Sequence, residues 1–257
     1  MTAALGRRQV LQLVASTGLA AAVGGCATAK PSSGPSTIST APPPTSAETT
    51  ASSPTQPPAT GASAAMLCRD AWGARPPRPG GIPHTINRMT LHHSGVVLGD
   101  NSNAPGRLRQ HQRYHQDHYG WIDIAYHVSV DRNGNIYQLR TPELVGDTAT
   151  DYDPTGHFLV LCEGDFDTEA ITDAQLNGAA MAFAWAAQTF RVSATTLASH
   201  RDFAPTTSCP GANLYARLSS GDLKRRIDDL LAGGPVNLQA VCGPSAAATV
   251  ADIEAGR

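Results

Sequence analysis

The sequence predicts an α/β (α+β) fold, one mixed central β-sheet flanked by helices and built as a single domain. Three observations carry that expectation. Short apolar runs of strand length alternate irregularly with helical stretches. An Asn133-Gly134 step between two such runs marks a hairpin inside the series. The Ala-rich segment behind Thr172, up to Phe190, is apolar on most faces and so needs a sheet to lie against.

The elements follow in order. Met89 to His93 reads as a strand. Asn103 to Tyr119 is long and polar and stops at Gly120, as a surface helix does. Trp121 to Val130, rich in Ile, Tyr and Val, reads as a second strand, with Ile136 to Leu139 as its hairpin partner. His157 to Cys162 is a further buried strand. Thr172-Asp173-Ala174-Gln175 has the form of a capping box and opens the Ala-rich helix. Leu197 to His200 is a short strand, and Asp222 to Leu231 is an amphipathic closing helix.

This domain, residues 66–242, is long enough to bury a real core. Residues 1–26 read as an export signal: Arg7-Arg8 is a twin-arginine pair, and an uncharged run from Leu11 to Gly25 is too short and Ala/Gly-rich to span a membrane. The run ends in Val23-Gly24-Gly25-Cys26, which resembles a lipobox; lipidation at Cys26 and ordinary signal cleavage both remain open. Residues 27–65 carry only Lys30 and Glu48 as charges and almost no large apolar side chain, the composition of a flexible linker. Its Pro content gives an upper reach on the order of 100 Å. Residues 243–257 are left as a C-terminal tail. The chain is therefore expected in the cell envelope, lipid-anchored at the outer face of the cytoplasmic membrane, or secreted. The net charge of −2 and the lack of a basic stripe exclude nucleic acid as a partner. A monomer is expected.

Export implies an oxidising setting. Cys68 and Cys242 stand at opposite ends of the domain, and a bridge between them would clamp both termini; connectivity cannot be read from sequence alone. Cys162 lies in an apolar run and is expected to pack as a small hydrophobe.

The segment Ser199 to Gly211 places the imidazole of His200 and the thiol of Cys209 nine residues apart across a loop. His92-His93 ends an apolar run far upstream. Two His and one Cys are good zinc donors, and three donors instead of four leave a position for water, as in catalytic sites. Side chains alternate across a sheet, so only one of His92 and His93 can face a given cleft. A Cys followed by Pro in an exported protein is also a usual half-disulfide, with Cys162 as a partner for Cys209. His111, His115 and His118 share a helix face, but no Glu is placed as a zincin motif requires, and Arg109 and Arg113 would oppose a cation. A solvated face with one His packed inward fits them better. Alternation groups Tyr126 with Ile122, Ile124 and Val128, so it is either a core residue or presents its hydroxyl to a cleft.

Taken together, these motifs resemble the zinc amidase family that includes peptidoglycan recognition proteins and amidase-type phage lysozymes. The resemblance runs through Trp72-Gly73-Ala74-Arg75, Leu91-His92-His93-Ser94, Gln112-Arg113-Tyr114-His115, Gly120-Trp121-Ile122-Asp123, Cys162-Glu163-Gly164-Asp165 and Ser199 to Gly211. It implies His92, His200 and Cys209 as zinc ligands and Tyr126 as the active-site Tyr. It implies cleavage of the amide between N-acetylmuramic acid and L-alanine, with peptidoglycan or muropeptides as partner. Members that only bind the wall often carry Ser in place of the Cys, so Cys209 favours catalysis; a sensor without turnover is the alternative. The His200–Cys209 spacing is one residue longer than usual, which leaves Thr206 and Thr207 as rival catalytic helpers. Val145-Gly146-Asp147-Thr148 stands where many relatives carry Gly-x-His, so a contact assigned to that His is absent.

Overall fold

The computed structural model describes residues 61–257; the expected export signal, Cys26 and most of the linker lie outside the described residues. Seven strands, β1 (Ala62–Leu67), β2 (Arg88–His93), β3 (Val128–Val130), β4 (Ile136–Gln138), β5 (His157–Cys162), β6 (Leu197–Ser199) and β7 (Val236–Val241), join one sheet in the order β6-β2-β5-β3-β4-β1-β7. The β3–β4 hairpin is antiparallel, and the other pairings are parallel. Six helices accompany it: α1 (Ala104–Asp117), α2 (Asp173–Phe190), α3 (His200–Phe203), α4 (Ala212–Ser219), α5 (Asp222–Ala232) and α6 (Gly243–Glu254). The mixed sheet flanked by helices is the expected architecture.

The pleat sends successive side chains to opposite faces, and the core divides accordingly. Met66 and Ile136 pack with α2 and α5 on one face, and their neighbours Leu67 and Tyr137 pack with α1 and α6 on the other. Helix α2 starts at Thr172, whose hydroxyl accepts the Gln175 N–H at 3.0 Å. The return half of the capping box does not form; the Gln175 side chain instead donates to the Val130 and Glu163 carbonyls. The hairpin turn lies directly under α2: a Cβ on Gly134, whose φ is +85°, would sit 2.7 Å from the Ala174 carbonyl oxygen.

Three expectations need correction. Trp121 to His127 is not strand, and the ladder begins only at Val128. Side chains occupy the carbonyls that a neighbouring strand would need: Arg140 donates to the Asp123 and Ile124 oxygens, and Gln116 to Ile122 O. The linker ends earlier than residue 65, since Ala62–Leu67 pairs with β7 along its whole length. The expected tail is largely helix: Ala246, Val250 and Ile253 of α6 are buried beside Trp72 and Leu108. A Cys68–Cys242 disulfide, across 174 residues, ties β1 to the β7–α6 unit. In the chain-entropy model a loop of that size contributes about 5 kcal/mol at most. Cys162 and Cys209 are both free and buried, so no bridge joins them.

Candidate metal centre

Strand alternation decides between the two adjacent histidines. Met89 and Leu91 of β2 belong to the core under α2, and His93 shares that side, accepting the Phe166 N–H on Nδ1 at 3.3 Å and stacking on the Phe166 ring. His92 therefore points to the opposite face, at the C-terminal end of its strand. β6, the parallel neighbour of β2, ends at Ser199, and His200 opens the single turn α3. That turn is held by Asp202, whose carboxylate accepts both the N–H and the hydroxyl of Ser199 at 2.7 Å. The following loop folds back so that Arg201 N donates to Cys209 O at 2.9 Å.

These elements bring one donor atom each from His92, His200 and Cys209 within 4.8 Å of one another. His92 Nδ1 lies 3.7 Å from Cys209 Sγ, and the two imidazole centroids are 4.8 Å apart. Burial holds the His92 pKa well below the usual histidine value, and burial with the nearby His93 lowers that of His200 to about 4. Both rings are therefore neutral at pH 7 and offer lone pairs. Burial pushes the Cys209 thiol up to about 12, opposed by the His93 N–H, which points at Sγ from 3.4 Å. Two neutral imidazoles and one sulfur, convergent and with only His200 half-exposed, fit a zinc ion; its charge would supply the drive to release the thiol proton.

The remaining sequence candidates fall into place around this cluster. The Tyr126 ring centroid is 5.1 Å from that of His92. Burial, reinforced by Cys209 and Tyr152, raises its pKa well above the ordinary tyrosine value, so the hydroxyl stays protonated. Thr207 Oγ1 accepts the Cys209 N–H at 3.2 Å, and Thr206 is exposed. His111, His115 and His118 do not gather as a metal cluster among the described residues. Two of them, not one, turn inward: His111 lies 3.8 Å from Glu163, and His115 Nδ1 accepts the Ala125 N–H at 3.1 Å. Sequence reasoning missed Thr150 and Tyr152, which reach His200 Nε2 at 2.6 Å and His92 Nε2 at 3.5 Å. Neither carries a local signal; the departure at Val145 to Thr148 only flags the neighbourhood.

The buried titratable groups set a stability profile. Burial lowers His111 and His127 to about 3, and His115 and His157 to about 4. Unfolded histidine titrates near ~6.5, so below that pH the unfolded chain takes up protons that the folded domain refuses, and stability falls. Glu163 has the opposite sign. Burial raises its pKa from 4.5 to about 8, against the Ser129 hydroxyl, so its contribution is lost as pH rises through that window. Four histidines outweigh it on the acid side, and above ~6.5 it acts alone. Chelator-treated protein is expected to melt highest near pH 6.5, with Glu163→Gln flattening the alkaline flank and steepening the acid one. A thermal midpoint that is constant from pH 4.5 to 8 would contradict this.

Comparison with known proteins matches this region. A family model described as N-acetylmuramoyl-L-alanine amidase covers residues 83–212. Peptidoglycan-recognition protein LB of Drosophila melanogaster is 31% identical over 176 residues, 65% of this chain and 73% of that protein. The N-acetylmuramoyl-L-alanine amidase of Homo sapiens is 32% identical over 114 residues, 42% of this chain but only 19% of its own length. A solved structure of a Tyr-to-Phe mutant of Drosophila PGRP-LB in complex with tracheal cytotoxin superposes with a TM-score of 0.54 at 27% identity, covering 60% of this chain and 93% of that one.

Proposed function

Because the chain belongs to the N-acetylmuramoyl-L-alanine amidase family, we propose that it is a zinc-dependent hydrolase that cleaves the amide between N-acetylmuramic acid and L-alanine in peptidoglycan. The observation that carries this reading is the convergence of His92, His200 and Cys209 donor atoms within 4.8 Å, three donors and not four. Zinc held there would polarise the scissile carbonyl and lower the pKa of a water.

The chain's own residues supply the rest. No hydrogen bond holds the Tyr126 hydroxyl among the described residues, and it stays protonated. It is free to donate to the oxygen of the lactyl carbonyl as negative charge develops on it. Thr207 Oγ1 accepts the Cys209 N–H and keeps its own proton to donate, and Thr206 is exposed, so either hydroxyl can serve as the helper. The peptidoglycan-recognition relatives support muropeptides as the substrate class.

Export and anchoring through Cys26 complete the proposal and follow from residues 1–26 alone. Among the described residues no helix is long and apolar enough to cross a membrane.

The full-length chain, zinc-loaded or chelated, would be incubated with peptidoglycan fragments and the products read by mass spectrometry. Zinc-dependent release of stem peptides with a free L-alanine amino terminus is the expected result. Binding of the fragments by zinc-loaded protein without release would replace the enzyme by a sensor.

A further inference from the structure

Each imidazole of the His-His-Cys cluster has a second nitrogen, and one short segment meets both. Thr150 Oγ1 is 2.6 Å from His200 Nε2 and 2.8 Å from Thr148 Oγ1, which also accepts the Thr150 N–H at 3.1 Å. A consistent run of these contacts takes His200 Nε2–H to Thr150 and the Thr150 hydroxyl on to Thr148, the direction an ion on Nδ1 would select. That direction leaves the lone pair of His200 on Nδ1. Tyr152 Oη lies 3.5 Å from His92 Nε2, while His92 Nδ1 is the nitrogen that lies 3.7 Å from Cys209 Sγ.

The segment carrying these groups is anchored at both ends. Gly146 is packed so closely that a Cβ would come 2.3 Å from Leu159 Cδ1 and 2.5 Å from Ala125 O, and Asp147 pairs with the buried Arg140. The Tyr152 ring stacks on Phe203 at 5.8 Å and lies 5.1 Å from the His200 ring. Rigid attachment matters, because a ligand is oriented only as well as the group that holds it.

We propose that Thr150 and Tyr152 are the positioning residues of the metal centre, taking the Nε2–H of His200 and His92 so that both Nδ1 lone pairs face the ion. The inference rests on the zinc reading given above. Loss of such an outer partner typically weakens metal binding about 10–100-fold.

The test measures zinc affinity of the full-length chain by competition with a chromogenic chelator, independent of turnover. Thr150→Val keeps the shape and removes the hydroxyl, and is expected to weaken zinc about 10–100-fold. Thr150→Ser restores the hydroxyl and should bind within a few-fold of the parent. Tyr152→Phe, with a longer contact to lose, is expected at the lower end, about 10-fold. The Co(II) absorption spectrum of Thr150→Val should also shift, reporting a changed ligand geometry. Parent-like affinity and spectra in both Thr150→Val and Tyr152→Phe would overturn the proposal while leaving the zinc reading intact. A parent chain that binds no zinc would overturn both. Should Thr150→Val fail to fold, Tyr152→Phe carries the same two outcomes.

Discussion

His92→Ala and Cys209→Ser are each expected to lose zinc and, with it, amidase turnover. Zinc sites of four ligands bind with about 10–16 kcal/mol, so one ligand corresponds to about 3 kcal/mol and a loss of about 100- to 1000-fold in affinity. Serine in place of Cys209 also exchanges a soft, ionisable sulfur for an alcohol that keeps its proton. His93→Ala is the discriminating control. Its ring serves Phe166 on the other face of the sheet, so this variant should lose stability and keep zinc and measurable turnover. Metal content by atomic emission, alongside mass-spectrometric product analysis, reads both quantities. Full activity without His92 would sink the ligand assignment.

Tyr126→Phe is expected to lower kcat by about 10²–10³-fold, the usual effect of deleting one donor to a developing oxyanion. Zinc affinity should stay at the parent value, because the ring's contact with His92 is one of packing and survives in Phe. KM should change little, since the hydroxyl acts on charge that appears only in the transition state. A variant that loses zinc, or raises KM with kcat intact, would move Tyr126 out of this role.

The donor cluster was legible in part: residue types and alternation along β2 limit the adjacent pair to one candidate ligand, while the choice of His92 with His200 and Cys209 came from the family resemblance. The Ala-rich helix and the hairpin were legible because their signals are local. Trp121 to His127 was misleading for the converse reason. Its alternation is that of a strand, but Arg140 and Gln116 take its carbonyls, and no local pattern announces that side chains outside the run will do so. β7 does carry readable alternation in Val236-Asn237-Leu238-Gln239 and could have been found. β1 could not, since Ala62–Leu67 continues the small-residue composition ahead of it and becomes a strand only because β4 and β7 receive it. Thr150 and Tyr152 are invisible for the same reason as Arg140: their partners are 50 and 60 residues away.

The sheet order also fixes where the molecule would bear a mechanical load. Tension along the chain ahead of Gly61 enters at β1, which lies parallel to β7 in register from Ala62–Val236 to Leu67–Val241. Pulled lengthwise, those hydrogen bonds are sheared together and do not peel one at a time, and the Cys68–Cys242 link backs them covalently. The strands that carry His92 and lead to His200, β2 and β6, stand at the opposite edge, with β5, β3 and β4 between. A pull on the chain ahead of Gly61 would thus load one margin of the sheet and leave the margin that holds His92 and leads to His200 slack.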